Sequence, residues 1–166
     1  MSAPFRIEIL GAHHDRKTFS CGVPALERYF QQQATQDIRR EVAACFVAVD
    51  ATTGRVAGYY TLSAGGVLLT DLPQALVKRL PRYPSVPVAR LGRLAIDAAY
   101  QGQRLGGALL WDAKLRSAPS EVAVFALVVD AKDDGAEALY RHHGFIPFGA
   151  IPGQLVLPLA YVSPKG

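Results

Sequence analysis

In its second half the chain alternates strands with helices, and this order restricts the possible folds more than any other feature of the sequence. The predicted elements are strands at Val88–Asp97 and Glu121–Asp130, and helices at about 104–116 and from an N-cap at Asp133 or Asp134 to Gly144. A hairpin turn can join only antiparallel strands, whereas a crossover helix joins parallel ones. We therefore expect at least one parallel pair in the sheet.

The first half lacks this alternation and is expected to form antiparallel strands with short helices. Its predicted strands are Phe5–Leu10, Ala43–Val49 and Val56–Leu69, and its predicted helices are Pro24–Arg40 and Leu72–Leu80. Pro81, Pro84 and Pro87 predict an extended crossing, and the last predicted strands are Phe145–Phe148 and Gln154–Val162. Together the halves predict an α+β fold with a mixed sheet, in one domain of residues 1–166.

The composition is that of a globular protein and excludes several other classes. Hydrophobic residues make up 50% of the chain and charged residues 19%, which is too apolar for a disordered protein. No apolar run approaches the ~20 residues of a membrane helix, and the first residues lack the features of a signal peptide. Cys21 and Cys45 lie in different predicted elements without metal-site spacing, so we expect reduced, buried thiols. A cytoplasmic protein without a bound metal is expected.

A glycine-rich turn separates the strand that ends at Asp97 from the following helix. Gly102, Gly106 and Gly107 have no Cβ, so a pyrophosphate can approach the backbone closely. Such a turn can direct several N–H groups and the positive end of a helix at one anion, although it can also be a simple tight connection. A P-loop is not indicated, because no Gly-Lys-Ser/Thr follows. A dinucleotide site is not indicated either, because the loop comes late and lacks a G-x-G-x-x-G run.

Two stretches together resemble the acetyl-CoA signature of the GNAT N-acetyltransferases. Arg93-Leu-Ala-Ile-Asp97 followed by Gln101-Gly-Gln-Arg-Leu-Gly106 resembles the pattern Q/R-x-x-G-x-G/A. The second pattern, N-x-x-A-x-x-L-Y-x-x-x-G-F, is matched by Ala136, Leu139, Tyr140, Gly144 and Phe145, with Asp133 where Asn is usual. The resemblance covers roughly residues 43–150. It implies the GNAT fold, a mixed and mostly antiparallel sheet with a splayed parallel strand pair and flanking helices.

Arg104 is where the chain departs from the family pattern, because it stands at the position of the middle glycine when the count starts from Asp97. A second register, Gln103–Ala108, satisfies the pattern but is displaced, so we prefer the first. Arg104 either contacts a phosphate or crowds the loop. The resemblance implies that acetyl-CoA is bound by Leu94, Ala95, Ile96, Gln101, Gly102, Gln103, Arg104, Leu105, Gly106, Gly107, Asp133 and Ala136.

The resemblance also implies roles in catalysis. In this family coenzyme A lies between two splayed parallel strands, which here would be Arg90–Asp97 and Glu121–Asp130. The first of these would pair with the pantetheine arm as an added strand does, and the Ile96 amide would polarise the thioester carbonyl. Tyr140 is the candidate general acid that protonates the departing sulfur. The alternative is that Tyr140 only packs beside Phe145.

The chain has few candidates for a general base, and this favours one class of amine. An α-amine with a pKa of about 7.8 is roughly a quarter free base near neutral pH, whereas a lysine amine with a pKa of about 10.4 is only about 0.1% free base. A site without a strong base therefore favours α-amines over lysine. His13 and His14 lie in a predicted turn, and His142 and His143 are adjacent on a helix. Solvated or capping roles are expected for all of them.

Within the family, the chain is most similar to the GNAT toxins of bacterial toxin–antitoxin modules. The similar stretches are Phe19–Phe30, Gly58–Ser63, the Pro-rich crossing and Val88–Asp97. Those toxins acetylate the α-amine of aminoacyl-tRNA, and a ribbon-helix-helix-type antitoxin neutralises them. The resemblance thus implies a bacterial protein with an aminoacyl-tRNA substrate, an antitoxin partner and, as is common in the family, a homodimer. The net charge of +4 is compatible with RNA, and the candidate tRNA contacts are Arg39, Arg40, Arg79, Arg82, Arg90 and Arg93.

Two other functions fit the same sequence. One is a small-molecule or protein/peptide N-acetyltransferase of the same fold. The other is a non-catalytic module that binds coenzyme A, which the substitution at Arg104 favours and the presence of Tyr140 opposes. The identity of the amine, of the tRNA and of the oligomer is left open by the sequence.

Overall fold

A computed structural model describes residues 5–161 of the chain. Its strands form one sheet in the order β1-β2-β3-β4-β5-β7-β6. They are β1 (Phe5–Ile9), β2 (Ala44–Asp50), β3 (Val56–Leu68), β4 (Ser85–Ile96), β5 (Ala126–Asp130), β6 (Ile146–Pro147) and β7 (Gln154–Pro158). β4 and β5 run parallel, and the β1–β2, β2–β3, β5–β7 and β6–β7 pairs are antiparallel. This confirms the predicted α+β class with a mixed sheet.

Helices precede, connect or follow these strands. They are α1 (Pro24–Arg28), α2 (Ala34–Arg39), α3 (Gln74–Val77), α4 (Leu105–Ser117) and α5 (Asp134–His142). A π-helical turn at Tyr29–Gln33 joins α1 to α2, and 3-10 turns lie at Leu69–Asp71, Ala98–Tyr100 and Leu159–Tyr161. Within residues 5–161, none of the helices combines the length and the apolar character that a membrane span requires. The contacts of the chain divide it into two compact units.

The first unit contains the residues up to Ser63 together with Gly92–Asp112. β1, β2 and the first part of β3 form its antiparallel ladder. Its core is aromatic, since the rings of Phe30 and Tyr59 stack with their centroids 4.4 Å apart and both residues are 0% exposed. Ala95 of β4 packs into the same core. The end of β4, which carries predicted site residues, is therefore supported by the helical segment near the N-terminus.

The second unit contains residues 64–91 and the chain from residue 113 onward. Here β4 pairs with β5 from Val88 opposite Ala126 to Leu91 opposite Val129. β4 then continues to Ile96, beyond this paired stretch. Valines of β4, β5 and β7 form the core together with Leu72, Leu76 and Phe148. β5 reads Ala-Leu-Val-Val before Asp130, and such a continuous apolar run is what a strand buried on both faces requires.

The helix predicted for Pro24–Arg40 is instead three consecutive segments. Pro24 occupies the first helical position as predicted, but α1 ends at Arg28 and a π-helical turn follows. A π turn widens the helix by one residue per turn. Phe30 and Ala34 are nevertheless both fully buried, so the apolar spacing indicated the buried side correctly but could not reveal the change of helix type.

β5 begins at Ala126 rather than at Glu121, so this predicted boundary was wrong. Val122 is 77% exposed, and β5 is paired with its neighbours only from Ala126 onward. A strand needs a hydrogen-bonded partner as well as a suitable composition. β4 begins at Ser85, earlier than predicted, and includes Pro87, whose carbonyl accepts a hydrogen bond from the Phe125 N–H at 2.9 Å.

The other boundaries differ from prediction by smaller amounts. β1 ends at Ile9 instead of Leu10, α3 spans Gln74–Val77 instead of Leu72–Leu80, β6 spans Ile146–Pro147 instead of Phe145–Phe148, and β7 ends at Pro158, with Val162 outside the described residues. Cys21 and Cys45 are both free and buried, as expected. A single domain over residues 1–166 stays a prediction.

Candidate active site

Asp97, which directly follows β4 and so lies just outside the strand predicted to end with it, organises the turn that leads into the glycine-rich loop. It is 2% exposed, and its carboxylate accepts hydrogen bonds from the backbone N–H groups of Ala99 (2.9 Å) and Ser20 (3.0 Å). Arg55 forms an ion pair with the same carboxylate at 3.5 Å. A buried carboxylate is stable only with such partners. Asp97 therefore holds the start of the loop in place.

Gln101 ties the loop to the strand before it. Its side-chain N–H₂ group donates to the carbonyl of Ile96 at 3.0 Å and to the carbonyl of Cys21 at 3.2 Å. Both donors of this amide are thus used within the protein. In the predicted site, Gln101 positions the backbone of the loop through its side chain.

Arg104 has a backbone conformation that side chains rarely adopt. Its φ angle is 63°, in the left-handed region, and Gly102 two residues earlier has a φ angle of 82°. The left-handed conformation costs a non-glycine residue roughly 1–2 kcal/mol. Because a glycine would adopt this conformation freely, the geometry favours the register in which Arg104 replaces the middle glycine of the family pattern. The strained residue, Arg104, directly precedes α4, which begins at Leu105.

The start of α4 has the properties of an anion site. The first amides of a helix have no acceptor within the helix, and the first turn of α4 consists of Leu105, Gly106, Gly107 and Ala108. Only the last of these donates to a described backbone acceptor, the Arg104 carbonyl, at 3.3 Å. Together with the exposed residues 101–104, these N–H groups can bind a pyrophosphate.

The end of β4 packs closely against β3. Leu94 and Ile96 are half-buried, whereas Ala95 is 4% exposed and belongs to the aromatic core. A Cβ added to Gly58 of β3 would lie 3.0 Å from both the Ala95 carbonyl oxygen and Ile96 Cδ1. Gly58 therefore permits the present position of the residues that are predicted to contact pantetheine. The sequence analysis did not assign a role to Gly58.

α5 is capped at both ends by residues of the second predicted motif. The Asp133 carboxylate accepts a hydrogen bond from the Ala136 N–H at 2.8 Å, as an N-cap does. Gly144, with a φ angle of 95°, ends the helix, and the Phe145 N–H donates to the Tyr140 carbonyl at 3.1 Å. Asp133 thus caps the helix at the position where the family pattern usually has Asn, and both ends of the helix lie where predicted.

Tyr140 lies in the last turn of α5 and is 6% exposed. Its ring packs at 5.7 Å from the ring of Phe145, so the predicted packing contact is present. Burial raises the pKa of Tyr140 to about 12, and the charges of Asp130 and Asp133 add to this effect. The hydroxyl is therefore fully protonated at neutral pH. It can donate a hydrogen bond or a proton, as the predicted general acid must.

Lys114 anchors the same end of α5. Its Nζ donates to the His143 carbonyl at 3.0 Å, and burial lowers the pKa of this lysine. A cation at the C-terminus of a helix interacts favourably with the helix dipole. This contact, which the sequence analysis missed, helps to hold Tyr140 on its helix turn.

The two predicted motifs are each built within a different compact unit. Ile96, the glycine-rich loop and the start of α4 belong to the first unit, and α5 with Tyr140 belongs to the second. In each unit the predicted residues lie on neighbouring positions of one element or its cap. The roles of Gln103 and of the other loop residues toward acetyl-CoA stay predictions.

The six arginines predicted to contact tRNA fall into two sets. Arg39, Arg40 and Arg93 belong to the first unit, and Arg79, Arg82 and Arg90 belong to the second. All are exposed except Arg90 and Arg93, which are half-buried. Arg90 forms an ion pair with Asp130 at 3.4 Å, so part of its charge is already neutralised.

Arg93 has a contact that the sequence did not predict. Its guanidinium carbon lies 3.6 Å from the centroid of the Tyr29 ring. The Tyr29 hydroxyl in turn donates to Asp37 at 2.8 Å. The basic and aromatic residues were visible in the sequence, but their separation along the chain concealed the contact.

Glu8, His13 and His14 form the one group of possible metal ligands within the described residues. His14 is buried, its Nδ1 accepts from the Gly11 N–H at 2.9 Å, and its Nε2 lies 2.6 Å from Glu8. With Nδ1 accepting, Nε2 carries the proton and donates to the carboxylate, and this hydrogen bond lowers the pKa of Glu8. A metal on Nε2 would require the opposite tautomer, so the chemistry of the group is that of a hydrogen-bonded turn.

These features agree with one enzyme family. The model of the acetyltransferase (GNAT) family matches residues 11–145, and the chain belongs to this family. The predicted class, an acyltransferase that uses acetyl-CoA, is thereby confirmed. A tRNA-acetylating toxin from Mycobacterium tuberculosis is 37% identical over 146 residues, which cover 87% of this chain and 84% of that protein.

Solved structures of toxins have the same fold. A mutant of KacT matches with a TM-score of 0.88 at 28% identity, over 95% of this chain and 96% of that one. AtaT complexed with acetyl-methionyl-tRNAfMet matches with a TM-score of 0.83 at 30% identity, over 96% and 97%. A mutant AtaT toxin bound to the C-terminus of the antitoxin AtaR matches with a TM-score of 0.80 at 27% identity, over 95% of each chain. The predicted GNAT fold is confirmed.

Proposed function

We propose that this protein transfers the acetyl group of acetyl-CoA to the α-amine of an aminoacyl-tRNA and acts as the translation-blocking toxin of a toxin–antitoxin pair. The observation that carries the proposal is the likeness, along nearly the whole chain, to AtaT in its complex with acetyl-methionyl-tRNAfMet. The mycobacterial tRNA-acetylating toxin supports the same substrate class. The arginines of both units are the residues that would contact RNA phosphates.

The donor would be held by backbone groups more than by side chains. The N–H groups of residues 101–107 face the pyrophosphate in this proposal, with Arg104 adding a charge-assisted contact. The end of β4 continues past its paired stretch, so its backbone can pair with the pantetheine arm. The Ile96 N–H would then polarise the thioester carbonyl.

The transfer itself needs one proton donor. The amine nitrogen bonds to the acetyl carbon, the carbon–sulfur bond breaks, and the sulfur leaves with its electron pair and takes up a proton. The nitrogen loses a proton as the amide forms. Tyr140 is the proposed donor to the sulfur, because its buried hydroxyl is protonated at every pH at which the enzyme would work.

The proposed amine also fits the absence of an assigned strong base. An α-amine is partly free base near neutral pH without help from the protein, whereas a lysine amine is not. Cys45 is no substitute, since burial raises the pKa of its thiol to about 12 and keeps it protonated. We therefore propose that the amine reacts from the fraction that is already unprotonated in solution.

A toxin of this kind requires a partner that restrains it. We propose that this partner is a small antitoxin, and that it is of the ribbon-helix-helix type. The support is that AtaT, which shares the fold, has been solved with the C-terminus of its antitoxin. We also propose that the protein forms a homodimer. We propose that it acts in the bacterial cytoplasm, where tRNA is charged.

The proposal is tested by incubating the purified protein with labelled acetyl-CoA and charged tRNA. We expect labelled acetyl groups on the amino acid, and growth arrest when the protein is expressed alone in a bacterium. Tyr140→Phe should lower the acetylation roughly 100-fold or more and relieve the growth arrest. Tyr83→Phe is the matched control, because Tyr83 is 64% exposed and is not a predicted site residue.

Two results would contradict the proposal. Harmless expression and unmodified charged tRNA, together with acetylation of small amines or peptides, would assign the protein to another branch of the family. Binding of acetyl-CoA without turnover on any amine would identify a non-catalytic module. Replacing both Arg90 and Arg93 by Ala should weaken acetylation of tRNA most at low salt, and the loss should shrink as salt is raised because the variant has fewer phosphate contacts for salt to weaken.

A further inference from the structure

A cavity of about 350 Å³ lies in the first unit beside the end of β4. Its walls are side chains of α1 and of the π-helical turn, including Leu26, Tyr29 and Gln32, with Arg93 of β4 on the other side. π-helical turns often occur at functional sites. The cavity is therefore lined both by an irregular helix turn and by β4, the strand that contains the predicted thioester contact at Ile96.

Arg93 lines this cavity, and its guanidinium packs against an aromatic ring. Its guanidinium lies directly over the Tyr29 ring, at 3.6 Å from the centroid. Among residues 5–161 no carboxylate forms an ion pair with Arg93. The Asp37 carboxylate accepts hydrogen bonds from the Tyr29 hydroxyl at 2.8 Å and from the Gln33 side chain at 3.1 Å, which lower its pKa, and the charge of Arg93 adds to this effect.

This arrangement suits a planar ligand better than a phosphate. Tyr29 packs against the guanidinium, and both residues line the cavity, so a flat group bound there can approach Arg93 as well. Arginine planes and aromatic rings are the surfaces on which proteins stack the unpaired bases of RNA. The side-chain amide of Gln32, which is exposed at the cavity, offers both a donor and an acceptor to the edge of a base.

The position of the cavity matches the dimensions of a charged tRNA end. Ile96 follows Arg93 by three residues, so the two lie about 10 Å apart along an extended strand. In an aminoacyl-adenosine, seven bonds separate the α-nitrogen from the nitrogen that links ribose to the base, a span of about 9 Å when extended. The two lengths are similar, so an amine placed at a thioester beside Ile96 leaves the terminal base within reach of the strand position of Arg93.

We propose that the cavity lined by the π-helical turn and Arg93 binds the terminal 3′ nucleobase of the aminoacyl-tRNA, stacked on the Arg93 guanidinium. The inference rests on the proposed function and assigns to Arg93 a base contact in place of the phosphate contact predicted from charge. It also makes the terminal nucleoside, and not only the amino acid, part of what the enzyme recognises.

The test compares two minimal substrates that carry no phosphate. One is a 3′-O-aminoacyl-adenosine and the other is the methyl ester of the same amino acid. We expect the wild-type protein to prefer the adenosine ester in kcat/KM by about tenfold or more, the scale of one stacked base. Arg93→Ala should remove this preference. Arg93→Lys should remove it too, because lysine keeps the charge but lacks the plane.

Arg6→Ala is the matched control, since Arg6 is a partly exposed arginine of the same unit that pairs only with Glu8 among the described residues. It should keep the preference for the adenosine ester. The melting temperature and the Kd for coenzyme A of each variant show whether a loss of preference reflects a damaged fold. A variant with wild-type melting temperature and Kd but no preference supports the base contact.

Two outcomes would overturn the inference while the proposed function stands. One is a wild-type protein that acetylates charged tRNA but does not distinguish the adenosine ester from the methyl ester. The other is Arg93→Lys with the full preference, which would show that charge suffices. Charged tRNA distinguishes the two kinds of contact by salt dependence. If Arg93 contacts a phosphate, log kcat/KM should fall less steeply with log salt in Arg93→Ala, by about 0.7–0.9 in the slope. If Arg93 contacts the base, the slope should be the same as in the wild-type protein. Failure of the wild-type protein on charged tRNA would instead refute the proposed function.

Discussion

Replacing Arg104 by glycine separates two effects that this residue has on the protein. Its left-handed backbone, with a φ angle of 63°, costs roughly 1–2 kcal/mol that glycine does not incur. Glycine adds about 0.5–1 kcal/mol of conformational entropy to the unfolded chain. The difference predicts that Arg104→Gly stabilises the free protein by about 0.5–1 kcal/mol, or roughly 1–4 °C in melting temperature for a chain of this size.

The same substitution removes a positive charge from the predicted pyrophosphate site. A hydrogen bond from a charged group contributes about 1.5–3 kcal/mol, so the Kd for coenzyme A should rise by about 10- to 150-fold. Arg104→Ala is the control that separates the effects, because alanine removes the charge and keeps the backbone strain. We expect Arg104→Ala to bind coenzyme A as weakly as Arg104→Gly, without the gain in melting temperature.

Thermal unfolding without ligand and calorimetric titration with coenzyme A measure the two quantities independently. Equal melting temperatures for the glycine and alanine variants would show that the loop is not strained at Arg104. An unchanged Kd in both variants would show that the side chain does not reach a phosphate and that backbone N–H groups alone form the site. A tighter Kd in Arg104→Gly would show that the arginine crowds the loop.

Further predictions concern the acid, the helix that carries it and the strand contact. Tyr140→Phe should lower kcat by roughly 100-fold or more while the Kd for acetyl-CoA changes only a few-fold, and wild-type turnover would remove Tyr140 from the mechanism. Because burial raises the pKa of Tyr140 to about 12, kcat/KM should rise with pH through the amine pKa of about 7.8 and then stay level to about pH 10; a fall below pH 10 would point to another acid. Asp133→Ala should lower the melting temperature by about 2–4 °C through loss of the N-cap, whereas Asp133→Asn should not, and equal effects would refute the capping role. Gly58→Ala should cost about 1–3 kcal/mol in denaturant unfolding because its Cβ meets the Ala95 carbonyl at 3.0 Å, while Gly66→Ala, whose nearest atom would be at 3.8 Å, should be tolerated; a tolerated Gly58→Ala would refute the close contact.

The sequence alone determined those features that depend on short stretches of chain. The caps of α5 follow from Asp133 and Gly144, which act on backbone groups within a few residues of themselves. The glycine-rich turn before α4 likewise depends on local φ angles. The parallel pair follows from the order of strand, helix and strand, which allows no hairpin. For these reasons the fold class, the family and the position of Tyr140 on its helix could be predicted.

Only the tertiary structure decided the contacts between residues that are far apart in the chain. Asp97 binds the Ser20 amide across 77 residues, and Arg93 meets Tyr29 where β4 passes the π-helical turn. Periodicity did not predict that turn, and it did not predict the late start of β5, because both depend on partners supplied by other segments. The residue type limits which interactions a side chain can form. Its burial and its neighbours in the folded chain determine which of those interactions is present. Arg93 was therefore predictable as a cation, and only the tertiary structure placed its guanidinium over the Tyr29 ring.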